Sequence, residues 1–269
     1  GGIITPTVRE IQKLCAERNI FLIEDCAHAH GCSIDGQQAG TLGVAGAFSF
    51  FPTKVLTTGE GGMVTTNDEQ LAKQIRMIRN HGKNPDKGNR MSVNGHNYRI
   101  SEITALLGVQ QMKKAQSIIE ERQQVAAFYD RSIPAIPALN PVVLAPGIKS
   151  SYYKYVAFLD QSIDRAVLKK TLREKYDVSL TGEVYADLCH TEPIWDEFTY
   201  CGRKRSSDHV ACHRWPSCGC RERQDHFPEA EYISRHHICL PLYPGLSPEE
   251  LNYVVESIKQ AISELRKDA

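Results

Sequence analysis

Between Glu24 and Gly31 the chain reads EDCAHAHG, two carboxylates followed at once by a thiol and two imidazoles. Such a cluster serves one of three ends: metal ligation by Asp25, His28 and His30, charge handling by a carboxylate, or an ordinary strand-to-loop turn. Further on, Lys54 stands in AFSFFPTKVLTTGEGG, just after an apolar run and just before a glycine-rich turn. A lysine in that place is either a surface cation or, in the right company, a nucleophile toward a carbonyl.

The company is what decides. A lysine that forms a Schiff base with pyridoxal phosphate (PLP) needs a carboxylate to keep the pyridine nitrogen protonated, hydroxyl or backbone donors for the phosphate, and an anchored loop. Asp25 at a strand end supplies the first, Ser49 the second, and Pro52 and Gly59 the third. Glu24 is adjacent to Asp25 in a strand, so it points to the opposite face and need not share the site.

The elements that must position these groups follow from periodicity. TPTVREIQKLCAERN puts Val8, Ile11, Leu14 and Cys15 on one helical face, with Pro6 suited to a first turn. IFLIED reads as a short strand buried on both faces. SIDGQQ holds the Asp35-Gly36 pair of a tight hairpin. Ala45 to Phe51 and Met63 to Thr66 read as further strands, and NDEQLAKQIRMIRNHG as a helix stopped at Gly82. One long helix is expected from about Ser101 to Tyr129, with Ile103, Leu106, Leu107, Ile118, Val125 and Phe128 among its apolar positions. IPAIPALNPVVLAPG, with four prolines in fifteen residues, reads as a connection, neither helix nor central strand. The expected organisation is therefore a large domain over 1–132, a proline-rich linker over 133–150 and a small domain over 151–269. In the last, SYYKYVAFL is strand-like, DRAVLKKTLREKY is an amphipathic helix, and Ser247, Pro248 and Glu250 open the closing helix with a capping box.

Bulk properties bound the partners. Thirty-two basic residues balance thirty-two acidic ones, so nothing draws the chain to nucleic acid or an anionic membrane surface. No apolar run reaches the roughly 18 residues of a membrane helix, and no basic-then-apolar signal pattern opens the sequence. Nine cysteines, an odd count, favour free thiols or a metal site over a disulfide framework. These features point to the cytoplasm.

IEDCAHAHG, AGTLGVAGAFSFFPTK, GEGGMVTTND, IRMIRNHG, NYRISEITALLGVQQ and LPLYPGLSPEE, in this order and spacing, resemble the DegT/DnrJ/StrS sugar aminotransferases. The resemblance implies an α/β fold, the fold-type I PLP-dependent transferase, with a three-layer αβα large domain and a smaller α+β C-terminal domain. It implies PLP as cofactor, Lys54 as the Schiff-base lysine, Asp25 on the pyridine nitrogen and Ser49 on the phosphate. By the same resemblance Asn97 reaches the phosphate of the neighbouring subunit, which implies a homodimer. His28 falls where many members have Gln beside the ring; it keeps a donor there but is bulkier and titratable. The implied reaction moves an amino group from an amino-acid donor to a keto-sugar, often nucleotide-linked, or a keto-cyclitol. Members that remove a sugar hydroxyl instead carry His in place of the lysine, so Lys54 favours transamination.

Two stretches depart from that pattern. Family members carry a long segment before the point where this chain begins, including a phosphate loop and an aromatic residue that stacks on the ring. Without it, a strand edge and apolar surface are expected to stand uncovered, and a non-catalytic, interaction or regulatory role is the alternative to catalysis. The second is the insertion at about 201–226, where Cys201, Cys212, His213, Cys218 and Cys220 are dense enough to suggest zinc. Their C-x10-CH-x4-C-x-C spacing matches no common finger, and a basic loop with reduced thiols is the alternative. Tyr185 and His190, in GEVYADLCH, are expected on the substrate side of the pocket, where the resemblance places a histidine; a structural role is the other reading.

Overall fold

The computed structural model describes residues 2–183, 185–193 and 227–267. The chain divides into two compact units. The first comprises Gly1–Ser132, Val142–Tyr155 and Leu242–Tyr253; the second comprises Ile133–Pro141, Val156–Pro241 and Val254–Ala269. The proline-rich stretch is shared between them, 133–141 in the second unit and 142–150 in the first. It carries a 3-10 turn at Ile133–Ala135 and strands β8 (Leu139–Pro141) and β9 (Ile148–Lys149). Ile133, Ile136 and Leu139 are buried, so the apolar residues between the prolines take the segment into a core. Pro141 is accommodated because β8 lies at the edge of its sheet.

In the first unit, α1 (Val8–Glu17) buries Val8 while Ile11 and Leu14 of its apolar face stay exposed. Strand β1 (Ile23–Asp25) pairs in parallel with β4 (Ala45–Ser49), Asp25 opposite Ala47. Strand β5 (Gly62–Thr65) pairs antiparallel with β4 on its other side. The β1 run was expected to be buried on both faces, yet Phe21 is 81% and Ile23 66% exposed. The order β1-β4-β5 makes β1 an edge strand, so one neighbouring strand and a partial helical layer cannot cover its side chains.

The hairpin of β2 (Ser33–Ile34) and β3 (Gln37–Gln38) turns at Asp35 and Gly36, both at positive φ, and β9 adds to its other edge. That is the two-residue turn whose twist suits a hairpin, and it needs a residue pair tolerant of left-handed backbone. Around it Val8, Cys26, Cys32, Ile34 and Leu42 form one buried apolar cluster.

Helix α2 (Glu69–Arg79) starts at Asp68, whose carboxylate accepts from the Gln70 and Leu71 amides, and ends with the Gly82 amide returning to the Met77 carbonyl. The long helix expected from Ser101 is two: α3 (Glu102–Lys113) and α4 (Ala115–Ser132), parted at Lys114. Their burial differs. Helix α4 buries Ile119, Arg122, Val125, Ala126 and Tyr129, one face at helical spacing, whereas α3 buries nothing and exposes Ile103, Leu106, Leu107, Val109 and Met112.

In the second unit, β10 (Tyr155–Leu159) is the middle strand of the order β11-β10-β8, with β11 at His237–Leu240. Its alternating burial matches the period-2 pattern of YVAFL. Helix α5 (Arg165–Tyr176) is capped by the Asp164 carboxylate on the Val167 amide at 2.9 Å. Back in the first unit, ahead of the closing helix Pro248–Leu265, Ser247 and Glu250 exchange amide-to-side-chain hydrogen bonds of 3.2 and 2.8 Å, the capping box read from sequence. Among the described residues no helix is long and apolar enough to cross a membrane.

Candidate active site

Because β1 and β4 run parallel, their carboxyl ends open on one edge, where α/β folds bind ligands. Asp25 ends β1 and Ser49 ends β4. Lys54 follows in a short loop whose next two residues, Val55 and Leu56, are buried with Phe50, Ile119 and Tyr153. That burial anchors the backbone under the lysine and leaves its side chain half-exposed. The loop is also tied by its own polar groups: the Thr58 amide returns to the Phe50 carbonyl at 2.9 Å and the Thr57 hydroxyl donates to the same oxygen.

Glu24 and Asp25 divide as strand geometry requires. One oxygen of Glu24 accepts from the Leu42 and Gly43 amides at 2.7 and 2.8 Å, the other from the Gly40 amide at 2.8 Å. It is the anchor of the turn that feeds β4, and it takes no part in the site. Gly43 is required there, since a Cβ would stand 2.3 Å from the Leu22 carbonyl. Asp25 is exposed, and one of its oxygens accepts from the Ala27 amide at 3.0 Å. Among the described residues its other oxygen accepts no hydrogen bond.

His28 stacks on Tyr153, ring centroids 3.9 Å apart and planes 19° from parallel. Burial first, and the nearby Lys54 cation second, lower its pKa to about 4, against an opposing pull from Asp25. His28 therefore senses both the lysine and the carboxylate and is neutral near pH 7. His30 is buried between the Phe48 and Phe50 rings. Burial, then Lys54, lowers it too to about 4, and the Ser49 backbone is only a marginal partner for its ring. With one imidazole stacked and the other sealed in an aromatic slot, Asp25, His28 and His30 do not form a metal-ligand cluster; no group of three or more His, Cys, Asp or Glu does among the described residues.

Tyr153, which the sequence alone did not single out, belongs to this site. The Lys54 ammonium lies 5.1 Å from its ring centroid, and its phenol shares a hydrogen bond with the Thr53 hydroxyl at 3.1 Å. Arg122 holds its backbone: the buried guanidinium donates to the Tyr152 and Tyr153 carbonyls at 2.6 and 2.9 Å, and to Leu242 at 3.2 Å. Burial pushes that guanidinium down to about 10, so it stays charged near neutrality. Tyr153 sits in a period-2 run that reads as strand, and nothing in its spacing ties it to Lys54.

Asn97 lies exposed on the stretch after the short hairpin of β6 (Lys83–Asn84) and β7 (Arg90–Met91), bridged through backbone to Asn80. Tyr185 and His190 belong to the second unit. The Tyr185 ring meets His237 edge-on at 5.5 Å, and His190 packs on Phe227 with its Nε2 3.9 Å from a Glu231 oxygen. Cys201, Cys212, His213, Cys218 and Cys220 lie outside the described residues.

The donor set fits PLP in three places. A carboxylate with an unused oxygen suits the pyridine nitrogen, a lysine with no carboxylate partner among the described residues suits the aldehyde carbon, and the Ser49 hydroxyl, its oxygen already accepting from the Phe51 amide at 3.3 Å, keeps its proton for a phosphate.

Comparison with known proteins bears on the chain as a whole. The DegT/DnrJ/EryC1/StrS aminotransferase family model matches residues 2–215 and 205–259. GDP-perosamine synthase of Escherichia coli O157:H7 is 30% identical over 257 residues, which are 96% of this chain and 62% of that protein. Among solved structures, Helicobacter pylori PseC, an aminotransferase involved in the biosynthesis of pseudoaminic acid, superposes with a TM-score of 0.75 at 25% identity, over 97% of this chain and 64% of that one. The aminotransferase TlmJ from Streptoalloteichus hindustanus gives 0.75 at 25% identity, over 98% and 64%. The chain thus spans under two thirds of the length of the curated relatives it matches first. With this match running over nearly its whole length, the chain belongs to the DegT/DnrJ/EryC1/StrS aminotransferase family.

Proposed function

We propose that the protein carrying this chain is a PLP-dependent aminotransferase that moves the amino group of an amino-acid donor to a keto-sugar, in many cases nucleotide-linked. One observation carries the reading: Asp25 and Ser49 end two parallel strands at the same edge, and Lys54 follows on an anchored loop beside them. When bound, PLP draws electrons from the carbon next to an attached amine and so makes that carbon acidic. Asp25 holds the proton on the pyridine nitrogen that gives the ring this pull. Lys54 Nζ, once released by the incoming donor, carries the proton away from the donor's α carbon. The same amine returns a proton in the second half of the cycle, when the sugar is the acceptor. Ser49 binds the phosphate, and neutral His28 offers one ring N–H beside the ring.

A homodimer completes the proposal, Asn97 reaching the partner's phosphate. The exposed apolar side chains of α3, from Ile103 to Met112, support it, because they need a cover. Location in the cytoplasm accords with the free thiols of Cys15, Cys26 and Cys32. The two-domain division, with Tyr185 and His190 on the substrate side, is part of the same reading.

The test is covalent. Incubation with PLP, reduction with borohydride and peptide mapping should place a phosphopyridoxyl group on Lys54, and Lys54→Ala should take up none. Label scattered over surface lysines, or absent, would overturn the reading in favour of a non-catalytic role. A screen of keto-sugars and keto-cyclitols then decides the acceptor.

A further inference from the structure

We infer that Tyr153 is a positioning residue for Lys54, its ring parking the lysine ammonium and fixing the backbone that carries it. The inference rests on the reading of Lys54 as the reacting lysine. The ammonium lies 5.1 Å from the ring centroid, within the range where a cation is drawn to the negative face of an aromatic ring. Among the described residues no carboxylate pairs with Lys54, so this ring is the group that holds its charge. The phenol oxygen bonds Thr53, one residue before the lysine, and Tyr153 shares one buried cluster with Val55 and Leu56, the two residues after it. One side chain therefore bonds the loop before Lys54, shares a core with the residues after it and lies within cation–π range of the amine.

Tyr153 can act as a fixed platform because it is itself held from three directions. It is 4% exposed, its carbonyl accepts from Arg122 at 2.9 Å, and its ring is stacked on His28 at 3.9 Å. An aromatic platform also suits a lysine that must react. A carboxylate partner would keep a short hydrogen bond to the amine. A ring attracts only the charged form, so its hold fades when the nitrogen loses its proton and gains the lone pair that attacks a carbonyl. The resting amine is placed without being tied down. Lys154 lies 5.3 Å from the same ring and shares its field.

Nuclear magnetic resonance of the cofactor-free protein after reductive dimethylation with labelled formaldehyde tests this, since dimethylation keeps the positive charge. Lys54→Arg and Lys154→Arg assign the two resonances. The Lys54 signal should be displaced upfield of the bulk lysines by the ring current, stay displaced in Tyr153→Phe and fall into the bulk in Tyr153→Leu. A wild-type Lys54 signal within the bulk, a displacement that survives Tyr153→Leu, or one already lost in Tyr153→Phe would overturn the assignment. Where Tyr153→Leu does not fold, a nuclear Overhauser contact between the Lys54 methyls and the Tyr153 ring protons in the wild type decides, its absence counting against the inference. No cofactor enters this readout, so a failed PLP labelling of Lys54 sinks the aminotransferase reading and is distinguishable from failure here.

Discussion

The Glu24 carboxylate accepts the Leu42 amide at 2.7 Å, so the residue next to Asp25 ties β1 to the turn that feeds β4. The same carboxylate also accepts from Gly40 and Gly43, and strand alternation turns it away from the site. Glu24→Ala leaves three amides short of an acceptor and should cost about 3 kcal/mol; Glu24→Gln keeps one oxygen and should cost about half of that. Urea midpoints at an unchanged m-value measure both. Equal, negligible losses would show that the three bonds contribute nothing to stability.

Stability should fall as the solution is acidified from pH 6.5 to about 4. His28 and His30 both have folded pKa values near 4, while an unfolded histidine takes a proton near 6.5. In that window the unfolded chain binds more protons than the folded one, so acid favours unfolding. Each site adds a slope of up to about 1.4 kcal/mol per pH unit. Comparing the pH profile of the wild type with those of His28→Gln and His30→Leu isolates the two contributions from those of the carboxylates. Parallel profiles across the window would contradict the shifts.

Asp25→Asn keeps the shape of the side chain and removes its charge. Loss of a hydrogen bond to a charged group, about 1.5–3 kcal/mol, should weaken PLP binding by about ten- to a hundred-fold, with no comparable loss of fold because Asp25 is exposed. Fluorescence titration with PLP reads the first effect and circular dichroism the second. Unchanged affinity would mean that another group holds the pyridine nitrogen.

Subunit mixing examines the placement of Asn97. Separate Lys54→Ala and Asn97→Ala preparations of the full protein should each be inactive or nearly so. Random reassociation makes half the dimers mixed and leaves one intact site in each, so activity should recover to about a quarter. A mixture no more active than its components would put Asn97 in its own subunit's site.

Much of this molecule is legible in the order of its residues. The alternation in YVAFL, the Asp35-Gly36 turn, the caps at Asp68 and Ser247 and the strand-end placing of Asp25 and Ser49 all arise from local geometry, which neighbouring residues impose on one another. Glu24 turning away from Asp25 is of the same kind.

What tertiary structure alone decided concerns partners distant in sequence. IFLIED carries the apolar content of a buried strand, yet β1 lies at a sheet edge with Phe21 and Ile23 exposed, because burial depends on what else packs there and not on a segment's own composition. The proline-rich stretch holds enough apolar residues to join a core, and α3 and α4 part at Lys114 with only α4 covered. Tyr153 is the sharpest case. Its place over Lys54 requires Arg122 on its carbonyl, His28 on its ring and Thr53 on its hydroxyl, three contacts from three separate segments. The sequence by itself determined the strand ends that bear Asp25 and Ser49; only the packing of remote segments could bring an aromatic ring to the Lys54 amine, because no local period links one to the other.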